Sequence, residues 1–221
     1  MCKRVKEKGR LTSVKVFDQS IRQFIEAACS ASPTPGGGSV AAVSAALGAS
    51  MGSMVASLST GTRFEKNAAQ MNTIIAQIKT AIDEFEQIAK QDMESFRLFM
   101  DALKMPKDTD EKRAQRSECL QQAAIQAANV PLRLMTQSRD IMALLEKASQ
   151  IYNKNVISDL GVAVITLDAA IQSAWLTVKI NLSSIKNEKT NSNYEKQGMH
   201  LLNDAQKIKQ SVMNVVMDKI G

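Results

Sequence analysis

From Ala27 to Thr62 the chain carries no charged residue. A stretch of that length without a charge has to lie inside something: a folded core, a membrane or an interface. Its composition separates these cases. The part from Gly36 to Ser57 is dominated by Gly, Ala and Ser, which supply little driving force for membrane insertion. Their small side chains do let neighbouring backbones come unusually close. The stretch therefore predicts a buried helix at the centre of a soluble protein, with no membrane contact.

The segment Ser32-Pro33-Thr34-Pro35-Gly36-Gly37-Gly38 opens that helix. Two prolines and three glycines stop whatever precedes them and keep the following backbone bare. A first helix is expected to begin near Asp18, whose carboxylate can cap free amides, with Ile21, Phe24, Ile25 and Ala28 on one face. Ser39 is placed to cap the second helix, which should reach about Thr60 with Gly61 as its stop.

No Gly or Pro occurs from Phe64 to Met105. Apolar residues there follow a 4-3-4-3 rhythm: Met71, Ile75, Ile78, Ile82, Phe85, Ala89, then Phe96, Phe99 and Leu103, with Asp92 as the single polar member. Pro106 ends this helix and Thr109 caps the next tract, about Glu111 to Ser149, which Pro131 should kink or split. Asn153 and Asn155 mark a break. The helix from Ser158 to Ile185 is apolar on nearly every face, so other helices or a second subunit must surround it. A last amphipathic helix follows Asn187 to Asn193. Sparse Gly and Pro and an aromatic content of 4% fit an all-α chain and nearly exclude an all-β one. The fold expected is a compact bundle of long helices around a small-residue central helix, dimeric. Residues 17–221 form one domain behind a basic, disordered extension over residues 1–16.

The net charge of +6 points toward nucleic acid until it is located. Lys3, Arg4, Lys6, Lys8, Arg10 and Lys15 oppose only Glu7, and the rest of the chain holds 22 basic and 21 acidic residues. The basicity belongs to the extension, and no nucleic-acid partner is expected. No apolar run of the signal-peptide type follows it, and Cys2, Cys29 and Cys119 lack paired spacing, so they read as reduced thiols of a cytoplasmic protein with no metal site. His200 is the sole histidine and has no companions, which leaves serine-hydrolase and zinc chemistries without parts.

Two features carry chemistry. Glycines ahead of a helix N-terminus let a ligand touch main-chain N–H groups, and the helix dipole favours an anion there. The spacing at Gly36-Gly37-Gly38-Ser39 is not that of a P-loop, and it fits a ligand loop and a close-packing turn equally. Asp92, on an apolar stripe, loses hydration and must find partners, gain proton affinity, or both. It is either a general acid or base, or an Asp tied to a neighbouring helix end or a Lys. Asn155, Ser158 and Asp159 sit at a helix start, where capping accounts for each. Lys179 and Asn181 interrupt an apolar helix, and a buried Lys179 needs a carboxylate such as Asp92 or Asp159.

In order, Pro33-Thr34-Pro35-Gly36-Gly37-Gly38-Ser39-Val40-Ala41-Ala42, Gly48 to Val55, Asp92-Met93-Glu94-Ser95-Phe96, Pro106 to Thr109, Val130-Pro131-Leu132, Asn155 to Gly161 and Val178-Lys179-Ile180-Asn181-Leu182 resemble the cyclodeaminase/cyclohydrolase family. This family includes the C-terminal domain of formiminotransferase-cyclodeaminase and stand-alone bacterial folate proteins. The resemblance implies an all-helical homodimer acting on a tetrahydrofolate derivative, with no tightly bound cofactor and no metal, and places the family's active-site aspartate on Asp92. Thr177 stands where the family often has Asn. The expected activity is formimidoyltetrahydrofolate cyclodeaminase; the alternatives are methenyltetrahydrofolate cyclohydrolase and a non-catalytic folate-binding helical protein. Beside catalytic Asp92, the residues expected to bind folate are Gly36, Gly37, Gly38, Ser39, Arg63, Asn155, Ser158, Asp159, Lys179 and Asn181. Lys179, Asp159 and Asn155 are the ones expected to complete a neighbour's pocket.

Overall fold

The structure, a computed structural model, describes residues 16–221. The extension expected at residues 1–16 lies outside them apart from Val16. Among the described residues every regular element is helical: α1 (Ile21–Ala28), α2 (Gly37–Ser57), α3 (Ala68–Leu103), α4 (Asp110–Lys147), α5 (Ile157–Leu182) and α6 (Glu188–Ile220). Short 3-10 turns at Val16–Asp18, Thr62–Asn67 and Lys154–Val156 lead into α1, α3 and α5.

Four of the long helices close a ring in which α2 packs on α3, α3 on α4, α4 on α5 and α5 back on α2, while α6 lies across α5 and α4. The central helix is α2, as its small residues predict. A Cβ added at Gly48 would stand 3.1 Å from the Ala163 carbonyl and from Leu167, and one at Gly52 would stand 2.8 Å from Leu145. A side chain at either position would force its neighbours to shift, so the α2 backbone lies close against the α5 backbone at Gly48 and the Leu145 side chain of α4 at Gly52. By length and composition α2 and the segment Lys154–Leu182 are apolar enough to cross a membrane, and about half of each is buried in the bundle.

Helix ends follow local chemistry, with some departures from expectation. Ser20, not Asp18, caps α1: its hydroxyl accepts from the Gln23 N–H while the Gln23 side chain accepts from the Ser20 N–H. Helix α2 begins two residues before Ser39, with Gly36 at the cap position and no side-chain cap bond. Thr109 caps α4 as expected, accepting from the Lys112 N–H at 3.3 Å, and Asn187 caps α6. Cys29 is a free, exposed thiol, whereas Cys119 is disulfide-bonded. The expectation of reduced cysteines thus holds at Cys29 and fails at Cys119.

Pro131 does not split α4, which runs unbroken from Asp110 to Lys147. A proline cannot donate to the carbonyl four residues back, here that of Ala127. The Asn181 Nδ2 reaches across from α5 and donates to that carbonyl at 3.0 Å, and also to the Thr177 carbonyl at 2.8 Å. Asn181 thereby satisfies the acceptor that Pro131 leaves open and ties α4 to α5. Removing the amide should leave a part-buried carbonyl unpaired, at a cost of about 1–3 kcal/mol. Asn181→Ala is accordingly expected to lower the thermal midpoint by several degrees, measured by circular dichroism; an unchanged midpoint would show that the bridge is dispensable.

Candidate active site

Asp92 lies where the apolar stripe of α3 emerges from the core. Met71, Ile78, Phe85 and Ala89 are buried, Asp92 is half-buried, and Phe96 and Leu103 beyond it are exposed. Its carboxylate lies over the first turn of α2. The Ser39 hydroxyl donates to Asp92 Oδ2 at 2.9 Å, and the Ser39 backbone N–H also bonds to the carboxylate. At Gly38 an added Cβ would stand 2.2 Å from Asp92 Oδ1, so the carboxylate rests directly on the glycine. Of the two sequence expectations for Asp92, the structure shows the Asp tied to a neighbouring helix end. Burial raises the Asp92 pKa, and the Ser39 hydroxyl and N–H only partly offset it. A carboxyl in that condition is able to change charge at a useful pH.

This geometry reassigns part of the Gly36–Ser39 loop. At the α2 N-terminus the Ser39 amide is taken by Asp92, a group of its own chain, and is not free for a ligand anion. Gly38 and Ser39 are buried, Gly36 is half-buried and Gly37 is exposed. A Cβ at Gly37 would meet nothing nearer than Thr177 Oγ1, at 3.9 Å. The tight glycine is therefore Gly38, and Gly37 has room on its Cβ side.

The other candidates separate along the bundle. Gly37 faces Thr177 near the C-terminal end of α5, while Asn153, just before α5, donates its side-chain amide to the Leu58 carbonyl at 3.1 Å and its backbone N–H to Ser59 Oγ at 2.9 Å. Helices α2 and α5 thus run antiparallel. Cross-bundle bonds from Arg133 to Gln91 and from Asn181 to the Ala127 carbonyl put Pro131 and Thr177 level with Asp92 and Gly38. Asn155, Ser158 and Asp159 stand at the opposite end, about 30 Å away for an α2 of 21 residues. Asn155 and Ser158 are exposed and Asp159 is half-buried. Within one chain they cannot share a site with Asp92.

Lys179 is not the buried cation expected. It is exposed, pairs with Glu195 of α6 at 2.6 Å and lies 5.7 Å from the Trp175 ring centroid, so it balances neither Asp92 nor Asp159. The side chain of Arg63 lies outside what the structure describes. His200 pairs on the surface with Asp204. Sequence reasoning passed over Asp168, which is buried on α5 and bound by Lys209 of α6 and by Gln172 at 2.8 Å. The signal that singles out Asp92, a carboxylate on an apolar helix, applies equally to Asp168. Among the described residues no three His, Cys, Asp or Glu side chains cluster as a metal site. Two surface depressions, one along Ile21, Arg22, Ile25 and Glu26 and one along Asn203, Gln206, Lys207 and Gln210, do not include Asp92 in their lining.

The fold is an all-helical bundle with Asp92, a half-buried carboxyl whose pKa burial raises, at one end. The chain belongs to the formiminotransferase-cyclodeaminase family, whose model matches residues 20–200. It is 31% identical over 205 residues to the methenyltetrahydrofolate cyclohydrolase of Methylorubrum extorquens, covering 92% of this chain and 99% of that protein. It is 36% identical over 183 residues to the formimidoyltransferase-cyclodeaminase of Gallus gallus, of which the match spans about a third, 34%. The crystal structure of a formiminotetrahydrofolate cyclodeaminase from Thermotoga maritima superposes with a TM-score of 0.84 at 27% identity, over 93% of this chain and 100% of that one.

Because Asp92 rests on Gly38, Gly38→Ala should displace the carboxylate while leaving the helices in place. The helical circular dichroism should persist and turnover should fall by about 10²-fold or more, the scale of a misplaced proton-transfer group. Turnover within twofold of the parent protein would show that the close approach has no catalytic consequence.

Proposed function

We propose that the protein is a folate one-carbon enzyme in which Asp92 moves protons at the carbon bridging N5 and N10 of tetrahydrofolate, with formimidoyltetrahydrofolate cyclodeamination as its reaction. The observation that carries this reading is the seat of Asp92: a carboxyl half-buried at the bundle end, held by one hydroxyl and one amide, with its pKa raised by burial.

In cyclodeamination, N10 of 5-formimino-tetrahydrofolate attacks the formimino carbon. With the formimino group in its protonated, amidinium form, Asp92 accepts the proton from N10 and delivers it to the amino nitrogen of the tetrahedral intermediate, the carbon–nitrogen bond breaks, and neutral ammonia leaves as the cationic 5,10-methenyl ring closes. A second reading, methenyltetrahydrofolate cyclohydrolysis, is favoured by the Methylorubrum relative, which this chain matches along 99% of its length. There water attacks the cationic methenyl carbon, Asp92 takes a proton from that water and passes it to N5, the carbon–N5 bond breaks, and the remaining hydroxyl proton leaves to solvent as the formyl group of 10-formyl-tetrahydrofolate forms. Both paths pass through a tetrahedral carbon flanked by nitrogens, so one carboxyl in one place serves either. Phe96 and Phe99, one and two turns beyond Asp92, provide an apolar flank for an aromatic substrate.

The active form proposed is a homodimer. Leu47 on α2 is 58% exposed, and Leu176 and Ile180 on α5 are 71% and 69% exposed. With Val40, Val162 and Ile165 they leave an uncovered apolar face along the two most apolar helices. A two-fold axis across this face would bring Asn155, Ser158 and Asp159 of a second copy toward Asp92, which the 30 Å span of a single chain forbids.

Asp92→Asn removes the titratable proton and keeps the shape. Turnover should fall by about 10²–10⁴-fold, followed by methenyl absorbance with formimino- and methenyl-tetrahydrofolate in separate assays, and the substrate consumed decides between the two reactions. A raised carboxyl pKa means folding takes up a proton, so the stabilisation it gives is complete at acid pH and is lost as pH rises through the folded-state value. Asp92→Asn should therefore be no less stable than the parent protein at pH 7. Near-parental turnover in both assays would end the assignment. Light scattering at micromolar protein should give a mass twice 24.1 kDa or a multiple of it; an active monomer would refute the shared site.

A further inference from the structure

Gly38 and Ser39 do more than cap a neighbouring helix. The Ser39 side chain is fully buried, so water cannot take over its bonds. Its oxygen stands 2.9 Å from Asp92 Oδ2 and 3.4 Å from the Ala89 carbonyl, one turn earlier on α3. A hydroxyl has one hydrogen and two lone pairs. When Asp92 is ionised, that hydrogen points at Oδ2. When Asp92 is protonated, its own O–H can donate to Ser39 Oγ while the Ser39 hydrogen turns to the Ala89 carbonyl. Both states are bonded without displacement of a heavy atom. The second bond is long for O–H···O, which biases Ser39 toward the ionised carboxylate and works against burial.

We infer that Ser39 is a positioning residue for Asp92, whose hydroxyl rotates to follow the carboxyl proton, on a seat that Gly38 keeps open. This rests on the acid–base role proposed for Asp92 and adds a residue to it. The surroundings leave Ser39 as the adjustable element. Helix α2 carries no charged residue. On α3 itself Lys90 and Glu94 are exposed; on α4 Arg133 donates to Gln91; on α5 Lys179 is engaged by Glu195. Each of these charges is in solvent or occupied elsewhere, so the balance at Asp92 is between burial and two bonds from one residue.

The test follows the Asp92 carboxyl by 13C NMR, its resonance identified by its loss in Asp92→Asn, together with the pH dependence of kcat. In Ser39→Ala, a change small enough for a buried helical position to keep the fold, the Asp92 titration midpoint should move up by about one to two pH units, the size of a hydrogen bond to a charged acceptor. The limb of the pH–rate profile that reports Asp92 should move the same way, whether Asp92 acts first as base or as acid. Ser39→Cys, which fills the space with a weak donor, should fall between the two. A midpoint unchanged in Ser39→Ala, or a Cys variant identical to the parent protein, would overturn the inference. Full turnover in Asp92→Asn would instead end the acid–base role, and the NMR midpoint would still decide whether Ser39 governs the carboxyl.

Discussion

The close approach of α2 to its neighbours is the constraint on which the rest of the molecule depends. With Gly48 against the Ala163 carbonyl and Gly52 against Leu145, α2 contributes almost no side-chain volume to the interior. The large buried residues come from around it, among them Ile78 and Phe85 of α3, Leu134 and Met142 of α4 and Leu167 and Ile171 of α5. A helix gripped on three sides by well-packed side chains has little freedom to shift. Its N-terminus is consequently a fixed point, and a fixed point is what a carboxylate seated on Gly38 and Ser39 requires if it is to meet a substrate atom repeatedly in one geometry.

The two acidic side chains on otherwise apolar helices show how environment divides structure from chemistry. Asp168 is buried on α5, and the bundle gives it a cation, Lys209, and an amide, Gln172. Removing either partner of such a pair leaves an uncompensated charge, so its role is to hold α5 to α6. Asp92 is less buried and receives only a hydroxyl and a main-chain N–H. These bonds orient the carboxyl without fixing its charge, and burial is left free to raise its proton affinity. Sequence spacing marks both residues alike; only the partner supplied by α6 tells them apart.

That contrast also explains what was legible beforehand. The all-helical class, the central position of α2, the 4-3-4-3 stripe of α3 and the isolation of Asp92 all follow from short-range periodicity, which a sequence displays directly. Partners supplied across the bundle do not. Pro131 looked like a break because its lost bond is a local fact, whereas the Asn181 amide that compensates at Ala127 comes from another helix. Lys179 looked buried because its neighbours in sequence are apolar, yet it projects from the face where Glu195 of α6 meets it. Ser39 looked like a cap because serine before a helical run usually is one. The helix started two residues earlier, and the hydroxyl was left for Asp92.

The antiparallel arrangement of α2 and α5 gives the family-like segments a spatial logic that their order in sequence conceals. Pro33 to Ser39, Asp92 to Phe96, Val130 to Leu132 and Val178 to Leu182 converge on one end of the bundle, held level by the Arg133–Gln91 and Asn181–Ala127 bonds. Asn155 to Gly161 lies at the other end, tied to the finish of α2 through Asn153 and Ser59. A single chain has no reason to collect polar groups at two ends of its most apolar helices while leaving Leu47, Leu176 and Ile180 in solvent between them. In the homodimer proposed above, a two-fold axis across that apolar face would cover it and would bring to each Asp92 end the Asn155–Asp159 end of the other copy. One symmetry of that kind would account for both the exposed leucines and isoleucine and the divided polar set.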